Sequence, residues 1–375
     1  MLLLIPGPVS TRPEVRAAMA VDYAPWDNEF RPIYAGVKER VLRIARGEAG
    51  VHACLALQGC GHFMTEAAVR SFVPPGDKIL VPATGAYAER MIRLAREAGR
   101  EPVVMPMGET EACSPAAVAV ALAADPSIGH VGMVYSETGS GIIHDPVAIG
   151  AVARAAGRRL ILDAVSAFGA LPLDVSAMPE LDAVVFTTNK CLEGLPGLGF
   201  AVVRVETLMA GRGQAGSWSF DLADVHGQAL RSGAGSFRFT PAAQVLVSFE
   251  VALGLYEAEG GQPARLGRYR ANADVLYDGL SGLGLQLYLP RILQGPIVMN
   301  VNAPDDPAWV LQGFVDALKR RGFLISNFFN TPKPGFRVGC IGAVTPEDMR
   351  RFVGAVAESL DELGVRNRHA GRQAA

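Results

Sequence analysis

From about residue 50 to 205, short apolar runs alternate with segments whose apolar residues recur at helical spacing. The runs "VHACLALQ", "KILVPA", "EPVVMPM", "GHVGMVYSE", "RLILDAVS", "LDAVVFTTN" and "GLGFAVVRV" predict strands. Between them "TEAAVRSFV", "YAERMIRLAREAG", "PAAVAVALAA" and "PVAIGAVARAAG" predict helices. Such alternation predicts right-handed crossovers and a mainly parallel sheet covered by helices. Ligands of sheets of this kind gather at the carboxyl ends of the strands.

Beyond about residue 240 the pattern changes. A long helical stretch, "PAAQVLVSFEVALGLYEAEGG", continues into "ARLGRYRANADVLYDGLSGLG". Strands ("PIVMNVNAP", "FLISNFF", "GFRVGCIG") then alternate with helices ("PAWVLQGFVDALKRRG", "TPEDMRRFVGAVAESLDELG"), which predicts a smaller α/β domain. Glycines and a proline in "AEGGQPAR", at 258–265, mark the boundary. The expected division is an N-terminal arm (1–18), a large domain (19–260) and a small C-terminal domain (261–375), with the last residues, "AGRQAA", frayed.

Composition narrows the function classes. Of 375 residues 50% are hydrophobic and 19% charged, which suits a folded chain with a large core. A formal net charge of -2, with only "RNRHAGR" and "KRRG" as short basic clusters, offers no footprint for nucleic acid or an anionic membrane. The start, "MLLLIPGPVSTRPEV", lacks the basic flank and apolar length of an export signal, and no stretch is long enough for a membrane span. The five cysteines, Cys54, Cys60, Cys113, Cys191 and Cys340, are scattered and form no C-x-x-C pair, so neither a disulfide framework nor a metal site is expected. The expected location is the cytoplasm.

Three predicted strands deliver polar residues at their carboxyl ends: Glu137 and Thr138, then Asp163, then Asn189 and Lys190. Asp163 taken alone could equally cap the following helix. Together, an acid and an amine stand about one strand-helix-strand step apart. A desolvated amine loses basicity and becomes a nucleophile toward carbonyl compounds. A buried carboxylate beside a ring nitrogen would keep that nitrogen protonated, the pairing described for pyridoxal phosphate. Gly59 and Gly61 lie on a turn before a helix starting near His62, whose free amides suit an anion, although a G-x-G is as often only a tight turn. Tyr87 follows another strand and could stack on a flat ring.

These residues resemble the class V, fold-type I pyridoxal-phosphate aminotransferases from end to end. The likeness is carried by "PGPVS" at 6–10, "LQGCGHFMTEA" at 57–67, "TGAYAERM" at 84–91, "SETGSG" at 136–141, "LDAVSAFG" at 162–169, "TTNKCLEGLPGLGF" at 187–200 and "FRVGCIG" at 336–342. Within that family "APWDNEFRPIY", "TNKCLEGLPG", "SFRFTP" at 236–241 and "NAPDDP" at 302–307 are most similar to members that move the amine of 2-aminoethylphosphonate to pyruvate. The resemblance implies an α/β fold with a mainly parallel seven-stranded sheet, a smaller C-terminal α/β domain, and a homodimer with active sites at the subunit interface. It implies an amine donor and a keto acid acceptor as the small-molecule partners.

By the same resemblance Lys190 would carry the cofactor and shuttle a proton, Asp163 would pair with the pyridine nitrogen, Tyr87 would stack on the ring and Thr138 would bond near its hydroxyl. Cys60, Gly61, His62 and Thr188 would line the phosphate cup, with Thr240 of the partner subunit. Arg337 would clamp a carboxylate, with Trp26 and Arg238 as further substrate contacts. An ion pair within the fold is an equal reading for Arg238, and a core or interface anchor for Trp26.

Three departures bear on the substrate. His62 stands where the family has serine or threonine, Gly139 replaces a hydroxyl residue, and "SNFFNTPKPG" replaces the usual loop ahead of the arginine motif. An alanine- or serine–glyoxylate transaminase of the same class is the alternative. A lyase or a binding protein without turnover ranks below it, since the tail lacks a sulfur-carrying cysteine loop.

Overall fold

A computed structural model describes residues 1–370. The expected fraying of the terminal "AGRQAA" falls, from 371 onward, outside the described residues. The strands are β1 (Leu2–Leu3), β2 (His52–Gly59), β3 (Lys78–Ala83), β4 (Glu101–Pro106), β5 (Ile128–Val134), β6 (Arg159–Asp163), β7 (Leu181–Thr187), β8 (Gly197–Arg204), β9 (Val298–Asn302), β10 (Phe323–Leu324) and β11 (Gly335–Gly339). Seven of them form one sheet in the order β2-β8-β7-β6-β5-β3-β4. Neighbours from β7 through β6, β5 and β3 to β4 are parallel, and β8 runs antiparallel to both β2 and β7.

The continuous apolar runs are explained by burial on both faces. All seven residues of β7 are buried, and the two faces pack into separate hydrophobic clusters. On one face Phe168, Phe186 and Phe200 stack in a row, with ring centroids 3.8 and 5.6 Å apart. Each buried ring contributes about 2 kcal/mol of transfer free energy. The parallel strands therefore end along one rigid edge, where Asp163 closes β6 and Thr187 closes β7.

A third cluster holds β9, β11 and the helices Leu311–Arg320 and Pro346–Glu362. The chain enters it along the helix Gly261–Gly282, after Gly260 turns the path in a left-handed conformation at φ 110°. Leu266 and Tyr269 on the first half of this helix belong to the main core, whereas Ala273, Leu276 and Leu280 on the second half belong to the smaller one. One helix thus serves two cores. Leu4 also joins the smaller core, because β1 pairs with β10.

Some stretches differ from the pattern-based expectation. "FLISNFF" forms a strand only at Phe323–Leu324, because its partner β1 is two residues long and gives way to Pro6, leaving no ladder to extend. The helix Phe30–Ile44 was not anticipated. Its buried Phe30, Tyr34, Val37 and Val41 nonetheless have helical spacing.

Buried charges fasten the edge loops to the long helix. Arg268 reaches Glu193 at 2.7 Å and Glu259 at 2.8 Å, and donates to the carbonyls of Gly342 at 2.6 Å and Val344 at 2.9 Å. Arg265 pairs with Glu259 at 2.8 Å and donates to the Cys191 carbonyl, while the Tyr269 hydroxyl donates to Glu193 at 2.7 Å. The loop after Lys190 and the loop after β11 are therefore held by one helix face. Removing one partner strands a buried carboxylate. Arg268→Met is expected to lower the unfolding free energy by about 3 kcal/mol. Urea titration checks this, and a loss below about 1 kcal/mol would show that Arg265 suffices alone.

Candidate active site

Lys190 sits three residues beyond β7 and donates from Nζ to the Pro6 carbonyl at 2.8 Å. The cavity it faces is also lined by Cys60, Gly61, His62, Tyr87, Asp163 and Asn189. Burial lowers the Lys190 pKa to about 8 from an ordinary 10.5, and the Arg337 and Arg90 charges push the same way. Burial raises Asp163 to about 6, against the opposing pull of the Val165 amide, which donates to it at 2.9 Å, and of the Lys190 charge. At neutral pH Asp163 is an anion and much of Lys190 is one proton away from a nucleophile.

The anion-binding wall comes from the helix Gly61–Phe72. Its N-cap, Cys60, makes no side-chain cap, so first-turn amides face the cavity beside the exposed Cys60 and His62. Gly61 has no room for a side chain, because a Cβ there would lie 2.5 Å from Val165.

Thr188 is a correction. Its side chain turns into its own loop, where the hydroxyl donates to the Leu195 carbonyl. Thr187 lines the cavity instead, and its buried hydroxyl has no partner. Successive residues at a strand end point to opposite faces, so only one of the two threonines can face the ligand side.

Thr138 does not line this cavity either. Its hydroxyl bonds Ser166 at 2.7 Å, and its carbonyl accepts from Arg337 Nη1 at 3.3 Å. Arg337 is buried on β11, makes no ion pair among the described residues, and has a partnerless Nε.

For Arg238 the structure favours the ion-pair reading over the substrate one. It is spent within the fold, pairing with Asp224 at 3.0 Å and donating to the carbonyls of Trp218 at 2.8 Å and Ser219 at 2.6 Å. Trp26 and Thr240 lie away from the lysine cavity of their own chain and line a separate surface depression with Phe239. Trp26 is 75% exposed there.

Besides Thr187, two polar cavity residues lie outside the sequence expectation, Arg90 and Thr65. Arg90 stands one turn after Tyr87, with its guanidinium 4.6 Å from that ring's centroid. Thr65 lies one turn after Gly61, whose carbonyl it bonds at 3.0 Å, and helps hold Asp163 ionised. Helical spacing from Tyr87 and Gly61 was the available signal. Glu137, fully buried, accepts from the amides of Gly139 at 2.9 Å and Tyr87 at 3.3 Å, and burial raises its pKa to about 7. It fixes the start of the helix that carries Tyr87 and Arg90. Cys191 is buried with its thiol pushed up to about 12, which leaves it no nucleophilic role beside the lysine.

Residues 28–306 match the family model described as Aminotransferase class-V. The chain is 42% identical over 364 residues to the 2-aminoethylphosphonate–pyruvate transaminase of Burkholderia ambifaria, covering 97% of this chain and 96% of that one. It is 40% identical to the protein of that name from Pseudomonas putida, covering 97% and 98%. Among solved structures, pyridoxamine-pyruvate aminotransferase from Mesorhizobium loti superposes with a TM-score of 0.88 at 27% identity, covering 98% of this chain and 93% of that one.

An amine with this pKa reacts in its neutral form, whose share grows as pH rises through about 8. Reductive alkylation of Lys190 by a small aldehyde, followed by mass spectrometry of its peptide, is expected to reach half its maximal rate near pH 8. A midpoint at the ordinary lysine value of 10.5 would mean that the amine is hydrated.

Proposed function

The chain belongs to the class-V aminotransferases, and from that premise we propose that it transfers the amine of 2-aminoethylphosphonate to pyruvate, giving phosphonoacetaldehyde and alanine. The observation that carries the reading is the meeting of Lys190, Asp163 and an uncapped helix start in one cavity, in a chain about 40% identical over its length to transaminases of that name.

Pyridoxal phosphate is the cofactor of the family, and the residues present fit it. The orphaned Thr187 hydroxyl and the first-turn amides of the helix Gly61–Phe72 are donors in want of an anion. We assign the phosphate to Gly61, His62, Thr187 and Asn189, with Cys60 alongside. Asp163 would hold a proton on the ring nitrogen and Tyr87 would cover the ring. When bound, the cofactor supplies an electron sink for the carbon that bears the substrate nitrogen.

The remaining steps rest on this chain's own groups. Lys190 Nζ, with its pKa near 8, would take a proton from the substrate carbon and return it to the carbon across the substrate nitrogen. Arg337, with no ion pair among the described residues and a partnerless Nε, presents its guanidinium to the acidic end of either substrate. Arg90 adds a second cation without an ion pair among the described residues, which suits a phosphonate dianion.

The functional unit in this reading is a dimer. Exposed Trp26, Trp218 and Phe239 support an interface on that side of the molecule, where Thr240 would reach the other subunit's phosphate. A cytoplasmic location is part of the proposal, supported by five free cysteines.

The test is to mix the yellow holoenzyme with 2-aminoethylphosphonate, alanine and serine and follow loss of the cofactor's visible band. Aminoethylphosphonate is expected to react fastest; conversion by serine or alanine alone would overturn the donor. Lys190→Ala should abolish transfer from every donor, and Arg337→Gln should raise the KM for pyruvate by about a hundredfold.

A further inference from the structure

The loop 326–334 and Gly139, two of the departures in the sequence, meet at the arginine clamp. A Cβ on Gly139 would lie 3.4 Å from the Asn330 carbonyl and 3.0 Å from Glu137 Oε1, so a larger residue would crowd the seat of the loop. Seated there, the loop lays Phe328 over Arg337, with the guanidinium carbon 4.8 Å from the ring centroid. With its amide oriented by its partners, Asn330 accepts from Arg337 Nη1 at 3.3 Å and donates to the Phe329 carbonyl at 3.1 Å. Phe328 is 53% exposed and Arg337 only 2%, so the ring stands between the cation and solvent.

These contacts divide the guanidinium. Nη1 is occupied by Asn330 and the Thr138 carbonyl, one face is covered by Phe328, and Nε has no partner. The edge formed by Nε and Nη2, with the Tyr87 hydroxyl beside the guanidinium, remains for a two-pronged acid. An acid held on that edge lies alongside the ring, and its side chain meets an aromatic wall.

We propose that Phe328 and Asn330 are specificity-determining residues that restrict the acceptor to 2-oxo acids with a short apolar side chain, an inference that rests on the aminotransferase reading above. Phe328 supplies the wall, and Asn330 holds Arg337 in register with it. A wall of this kind separates substrates differing by several methylenes by on the order of a hundredfold.

The test uses holoenzyme in its amine-loaded form, reacted with pyruvate, 2-oxobutyrate and 4-methyl-2-oxopentanoate. The wild type is expected to favour pyruvate over the branched acid by about a hundredfold in kcat/KM. Phe328→Ala should raise kcat/KM for the branched acid while lowering it for pyruvate, narrowing the ratio at least about tenfold. Phe328→Tyr should keep the wild-type ratio. A gain on the larger substrate is something a damaged fold does not produce. A ratio unchanged within about twofold in Phe328→Ala overturns the proposal. If the wild type turns over none of these acids, the transamination reading falls by itself. Thermal-shift titration of the same proteins with pyruvate and the branched acid then decides the wall, a narrowed affinity ratio in Phe328→Ala supporting it and an equal ratio overturning it.

Discussion

An amine at the end of a buried strand stays reactive near neutrality only while its hydration is limited, and the surroundings of Lys190, half-buried on the cavity wall, serve that limit. Both faces of β7 are covered, the Pro6 carbonyl takes the amine's hydrogen bond, and Gly7 leaves no gap beside the side chain. A Cβ on Gly7, whose φ is +142°, would lie 2.5 Å from Lys190 Cδ. The backbone can approach that closely only because there is no side chain to displace. Lowered basicity here is a result of packing, as is the raised carboxylate of Asp163 on the neighbouring strand.

The same dry environment explains why the site is charged yet incomplete. Arg337 is buried without a carboxylate, its Nε bonds nothing, and Thr187 leaves a buried hydroxyl orphaned. Unpaired polar groups in a protein interior are costly. The Thr187 hydroxyl, in the lysine cavity, and Arg337 each fit an anionic ligand that completes them, so binding would stabilise the fold while it assembles the site. A phosphate at the helix start and an acid at Arg337 would satisfy both groups.

Much of this was legible in the chain. Strand runs and helical spacing located the sheet, and the polar ends of β6 and β7 pointed to Asp163 and Lys190. What failed has physical causes. The two threonines before Asn189 could not be told apart, because a strand buried on both faces has no polar alternation to set its phase. For Arg238 the sequence left an ion pair and a substrate contact level, and only the fold shows Asp224 and three carbonyls closing around it. Arg90 was missed because its role depends on facing the cavity from one turn beyond Tyr87. The run 323–329 read as a strand by its pattern and lacked a partner long enough to make one beyond Leu324.

The first ten residues tie these parts together. Leu2 and Leu3 pair with β10 just ahead of the loop that covers Arg337, the Leu4 carbonyl accepts from Gly339, Pro6 holds the lysine, and Ser10 accepts from Ala343. This thread touches the nucleophile and β11, the strand that carries the acid clamp, between Leu4 and Pro6. A protease that clipped it would spare almost all of the mass and both hydrophobic clusters of the main sheet. The trimmed remnant would still migrate as a folded protein on a sizing column, yet its lysine would be rehydrated and its anion grip slackened.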